Sequence, residues 1–166
     1  MSWTTVRNEI ETQLQAVTGI GKVYAIRRNP TSEADFQSAF KSGSKINAIQ
    51  FWLSSGDEFP DGTGSEDEER QLQHSRRIES WTFELFFGFD DTGNKDTSSE
   101  KYFQDLVEAI EAKFRFLQNL NGKVEHSAPL DLITAGLFEM LSGLVLVHRA
   151  EFRLELELRI QNPAAE

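Results

Sequence analysis

Residues 144–160 read LVLVHRAEFRLELELRI, and from Ala150 onward apolar and polar residues alternate without a break. Ala150, Phe152, Leu154, Leu156, Leu158 and Ile160 fall on one side, and Arg149, Glu151, Arg153, Glu155, Glu157 and Arg159 on the other. A period of two over this length specifies a strand with one buried and one solvated face. Leu and Glu favour helices on intrinsic propensity, but at helical spacing these apolar residues would scatter around every side. The polar face carries both signs of charge, which suits cross-strand ion pairing.

Upstream, the chain supplies partners for this strand. Ser2 is placed to cap a first helix whose apolar stripe is Trp3, Val6, Ile10, Leu14 and Val17, ended by Gly19 and Gly21. A strand over 22–28 follows, then a short helix from Glu33 to Lys41, capped by Thr31 or Ser32. INAIQFWL at 46–53 reads as a strand with apolar residues on both faces, so it is either buried on both sides or meets a partner. Residues 76–89 form the third strong strand. Trp81, Phe83, Leu85, Phe87 and Phe89 lie on one face, and Phe86 breaks the alternation. A capped helix over 100–120 presents Phe103, Leu106, Val107, Ile110, Phe114 and Leu117, and short strands are expected around 132–133 and 138–141. Strands that follow one another directly specify an α+β fold. The expectation is a single domain over 1–166 with a mostly antiparallel sheet and one long and one shorter helix packed on one face.

Residues 54–75, SSGDEFPDGTGSEDEERQLQHS, hold three Gly, one Pro and seven carboxylates, a composition that predicts a mobile acidic loop. The segment 161–166 reads as a loose tail.

A chain of 166 residues with 13 Phe and 3 Trp can bury a sizeable core without staples. With no cysteine, disulfides, thiolate metal sites and a cysteine nucleophile are all excluded. A formal charge of −10 argues against gripping nucleic acid through its phosphates. No apolar run reaches the length of a membrane span, and the charged start MSWTTVRNEIE is unlike a signal peptide, so a soluble protein without a membrane partner is expected.

No motif assembles into a reactive centre. GIGK at 19–22 lacks both the earlier Gly and the following Ser or Thr of a phosphate loop, and reads as a helix end. DDTGNKD at 90–96 has calcium-loop composition, but Gly93 comes too early and Lys101 occupies the place of the bidentate Glu. His74, His126 and His148 have no metal-ligand spacing, and no GxSxG accompanies them. No enzyme activity, cofactor or metal is expected.

The chain resembles the tail terminator (tail completion) proteins of long-tailed bacteriophages and their prophage relatives. The likeness runs through the N-terminal helix into GIGKVY (19–24), then INAIQFWL, RRIESWTFELFFGF (76–89), YFQDLVEAIEAKF (102–114) and VHRAEFRLELELRI (147–160). The acidic stretch 54–75 has no counterpart in that pattern. The resemblance implies a small α+β protein that forms a hexameric ring on the head-proximal end of the tail tube. Such a ring stops polymerisation and presents a surface for the head. Its partners would be further copies of itself, the tail tube protein and a head-neck connector protein. DNA would pass through without specific binding, and the protein would reside in the host cytoplasm during assembly and then in the virion tail. Ring or tube contacts are expected at Phe51, Trp52 and Phe86 and at the carboxylates Asp57, Glu58, Glu66, Asp67, Glu68 and Glu69. The competing reading makes the three aromatics ordinary core. Other functional readings are a neck or connector-joining protein, the collar of a phage-tail-like particle, or a small ligand-binding or immunity-type protein.

Overall fold

A computed structural model describes residues 2–60, 74–90 and 93–161, with three helices and seven strands among them. The helices are α1 (Trp3–Gln15), α2 (Glu33–Phe40) and α3 (Ser99–Arg115). The strands are β1 (Lys22–Tyr24), β2 (Lys41–Ser42), β3 (Lys45–Pro60), β4 (His74–Gly88), β5 (His126–Ser127), β6 (Asp131–Met140) and β7 (Val145–Gln161). The order across the sheet is β1–β3–β4–β7–β5, with β2 beside β1 on the edge of β3 and β6 beside β5 on the edge of β7. Only β1 and β3 pair in parallel, because the chain returns between them through α2.

The alternation of β7 has the consequence expected of it. Ala150, Phe152, Leu154, Leu156 and Leu158 are buried on one face, together with Trp81, Phe83 and Leu85 of β4 and Ile49 and Phe51 of β3. Val6, Ile10 and Leu14 of α1 and the stripe Phe103, Leu106, Val107, Ile110 and Phe114 of α3 cover that face. Ser2 caps α1, Ser32 caps α2 and Ser98 caps α3, each accepting a hydrogen bond from a backbone N–H of the first turn.

The other face explains the two irregular patterns. Phe36, Ala39 and Phe40 of α2 bury Ala48, Phe86 and Val147 in a second, smaller cluster. Phe86 breaks the alternation of β4 because α2 lies above it. INAIQFWL is apolar on both sides because Ala48 faces α2 while Ile49 and Phe51 face the main core.

Four expectations change. The strand expected over 22–28 ends at Tyr24. Residues 54–60 are not loop but the continuation of β3, and His74 and Ser75 begin β4. Pairing with β4 overrides the weak strand propensity of SSGDEFP, at the cost of a register shift between Leu53 and Ser55. The rest of the expected acidic loop, 61–73, lies outside the described residues, as does 162–166 of the expected tail. The third helix ends at Arg115 instead of running to Leu120, where the backbone turns left-handed through Leu120, Asn121 and Gly122. The two short strands expected within 132–141 are one strand, β6. No helix among the described residues is long and apolar enough to cross a membrane.

GIGK is fixed by a side chain reaching across from β3. Asn47 Nδ2 donates to Gly19 O at 2.7 Å, and Gly21 N donates to Asn47 Oδ1 at 3.1 Å. A Cβ on Gly21 would stand 2.5 Å from Asn47 O and 2.5 Å from Ser42 Cβ, so only glycine fits there. Gly21→Ala is expected to destabilise the protein by about 1–3 kcal/mol, the usual range for forced overpacking. A urea melt should show a lower midpoint with an unchanged slope.

Candidate functional site

The aromatic residues singled out in the sequence separate into two groups. Phe51 is fully buried and stacks on Phe83 at 5.6 Å between centroids. Phe86 is 2% exposed and enclosed by Phe36 and Phe40. Neither has surface to offer a partner, which corrects the expectation that they form ring or tube contacts. Their apolar faces are covered within the chain, by α1 and α3 in one case and by α2 in the other. Trp52 remains partly exposed, with the Arg27 guanidinium 4.8 Å above its ring. Asp57 and Glu58 are exposed on β3, where Glu58 accepts a hydrogen bond from Ser75. Glu66, Asp67, Glu68 and Glu69 lie outside the described residues.

The sheet brings together a group that no spacing in the sequence announces. Trp3, Trp52 and Trp81, all the tryptophans of the chain, line one cavity of about 370 Å³ with Arg7, Ile26 and Arg27. Two placements create it: the register of β3 on β4, which sets Leu53 opposite Trp81, and the docking of the first turn of α1. Trp3 and Ile26 are about half exposed, so the cavity is an open groove with an aromatic floor and cationic margins.

Beside this groove Arg77 spans two partners. Its guanidinium lies 4.4 Å from the Trp3 ring, and its Nε is 3.4 Å from Glu79 Oε1. Glu79 is fully buried. Its Oε2 accepts from Trp81 Nε1 at 3.0 Å, while Oε1 has no hydrogen bond and depends on the nearby cation. Removing that cation would strand a buried carboxylate. Arg77→Met is therefore expected to cost about 3 kcal/mol, the lower end for a broken buried pair because Arg77 keeps some solvent contact. Arg76→Met, which removes the exposed contact to Glu157, should cost no more than about 1 kcal/mol. Parallel denaturant melts of the two variants test the difference.

On the opposite face, β3, β4 and β7 carry a polar ladder towards α2. Gln50 Nε2 donates to Glu84 Oε2 at 2.7 Å, Arg149 donates to Glu84 Oε1, and Arg149 Nη2 donates to Glu151 Oε2 at 2.9 Å. These are the mixed charges of the strand's polar face, paired across to Glu84 of β4 and along β7 between Arg149 and Glu151.

A second cavity, about 310 Å³, is lined by His148, Ser99, Glu100, Phe103 and Leu137. Ser99 Oγ stands 3.0 Å from His148 Nε2, a spacing that invites comparison with a nucleophile and its base. The other contacts of the hydroxyl assign its proton elsewhere. Ser99 Oγ donates to Asp90 O at 3.0 Å and accepts from Asp90 N at 2.9 Å. With its only hydrogen committed to a carbonyl, the serine accepts from His148, so the imidazole carries its proton on Nε2 and cannot act as base toward it. The pair ties the turn before α3 to β7. His148 stacks on Phe103 at 5.1 Å, the structural role expected of a histidine on the apolar side of this strand.

Burial lowers the His148 pKa from its ordinary value, and the charge of Glu100 opposes that effect only in part. The neutral ring is the form that fits, so its contribution to stability is complete above the unfolded-state pKa of about 6.5 and is lost as pH falls toward the lower folded-state value. Urea melts taken from about pH 7 down to about pH 5 should show falling stability, with a shallower fall in His148→Gln. Among the described residues no group of three or more His, Asp or Glu is arranged to hold a metal ion. Compared with known proteins, the chain matches no family model and no curated protein.

Proposed function

We propose that this chain is a structural protein of a phage tail. It caps the head-proximal end of the tail tube as a ring, stops tube polymerisation and presents a surface for joining the head. Support comes first from where the resembling segments fall. GIGKVY leads from α1 into β1, INAIQFWL and RRIESWTFELFFGF form the adjacent strands β3 and β4, and VHRAEFRLELELRI is β7 between β4 and β6. The observation that carries the reading is the form of the sheet. Among the described residues it is open at both sides, with exposed apolar side chains near each outer edge, and so suits an assembly built by repeating one contact. The charge of −10 suits a subunit past which DNA must slide without sticking.

The groove of three tryptophans favours a second reading, a small ligand-binding domain, because it is apolar with a few polar groups at its margin. One experiment separates the two. Purified tail tube protein is polymerised with and without this chain, and tube lengths are measured by electron microscopy. The expected result is tubes of limited length with the chain bound at one end. Tubes that elongate unchanged and carry no bound chain would remove the capping role. A chain that binds connector rings and leaves tubes alone would point to a neck-joining protein instead.

A further inference from the structure

The two ends of the sheet differ in a way that makes them complementary. At one end, β2 pairs with β3 at Lys45–Ile46 and β1 pairs with it at Ala48–Gln50. From Phe51 to Pro60 the outer edge of β3 pairs with nothing among the described residues. The tryptophan groove opens beside this free edge, and Arg7 at its margin makes no ion pair among the described residues. At the other end lies β6, paired with β7 on one side and with no strand on the other among the described residues.

β6 is protected as an edge strand only by one irregularity, between Leu132 and Thr134. Its sequence, DLITAGLFEM, has no Lys, Arg or Pro to discourage pairing. None of its ten residues is buried, and Ile133 and Leu137 are 43% and 47% exposed. Asp131 and Glu139 are exposed carboxylates with no ion pair among the described residues. One free edge is thus apolar and acidic, and the other is aromatic and basic where the groove opens, at Trp52 and Leu53, with its own carboxylates Asp57 and Glu58 further along the strand.

Strand direction and facing agree with this complementarity. β3 and β7 run the same way, and β6 runs against both. A copy generated by rotation about an axis along the strands would therefore bring its β3 antiparallel to β6 of its neighbour. Such a rotation also keeps the faces of the sheet in place. Leu137 pairs with His148, whose ring stacks on α3, so Leu137 and Glu139 stand on the helix-covered side. That is the side on which α1 carries Trp3 and Arg7. The free edges lie at opposite ends of their strands: β6 runs beside Val145–Arg153 of β7, whereas the free part of β3 lies level with Ser75–Phe83 of β4. Joining them staggers successive copies, and a closed ring then requires strands tilted to its axis, the linkage that governs closed barrels.

We propose that β6 of one copy docks along the free edge of β3 of the next, with Leu137 against the tryptophan groove and Glu139 facing Arg7. The sheet then continues from subunit to subunit. This inference rests on the ring reading and specifies its contact: heterologous, β-strand to β-strand, with an acidic apolar edge set in a basic aromatic groove.

A charge exchange tests it. Arg7→Glu places like charges across the contact, as does Glu139→Arg. Each variant alone should need about tenfold or more higher concentration than the natural chain to assemble, read by light scattering with and without tail tubes. An equal mixture of the two variants should assemble like the natural chain, since every contact in an alternating ring then joins opposite charges. Leu137→Lys is a second edge variant should Glu139→Arg alter the circular dichroism spectrum. The contact is overturned if both variants assemble normally, if the mixture is no better than its components, or if the natural chain stays monomeric with and without tubes. Tube growth is scored separately. Assembly through this contact with unhindered tubes would sink the capping role and leave the contact standing. Capping that persists in both variants would do the reverse.

Discussion

β7 is hydrogen-bonded along both edges, and nearly everything else in the molecule takes its position from that strand. Its ladder with β4 runs unbroken from Gly88–Val147 to His74–Gln161. A slip of one residue would turn Phe152, Leu154, Leu156 and Leu158 outward and bury the alternating Arg and Glu in their place. The penalty is large, since each buried aromatic or aliphatic side chain contributes roughly 1.5–3 kcal/mol relative to exposure. The register of β4, and through it the register of β3, follows from this constraint. The tryptophan groove is a remote result of the same alignment, because Trp81 stands opposite Leu53, next to Trp52 in the chain, only when β3 and β4 pair as they do.

Much of the fold was legible because its signals are periodic. The stripes of α1 and α3, the Ser caps and the alternation of β7 each state a local structure and a buried face at once. What escaped was set by tertiary pairing. SSGDEFP has the composition of a loop but is held extended by β4, and no property of those residues alone foretells that. Phe86 and Ala48 looked anomalous because α2 crosses the face opposite the other two helices. One strand pattern cannot show that a short helix will return to cover its far side.

The candidate site was less legible than the fold, for a related reason. Phe51 and Phe86 stood out as aromatics in unusual positions, yet both are enclosed by their own chain. Trp52 was singled out with them and does reach the surface, but its companions Trp3, Trp81, Arg7 and Arg27 come from three other segments. Clusters of this kind are properties of the assembled sheet. Ser99 and His148 give the opposite lesson. Proximity alone suggests chemistry, whereas accounting for one hydroxyl hydrogen makes the pair an anchor.

The division of the interior into two apolar clusters has a consequence for motion. α2 is held by Phe36, Phe40 and Ala39 against Ala48, Phe86 and Val147, and these residues are not part of the main core. The helix can therefore lift away while the β4–β7 ladder and the contacts of α1 and α3 stay intact. Its amides would then exchange with solvent through a local opening whose free energy is set by this smaller cluster and by the hydrogen bonds of Lys22 and Tyr24 to Ala39 O, not by the unfolding of the whole chain. The protein thus contains two cooperative units of unequal strength, on opposite faces of one sheet.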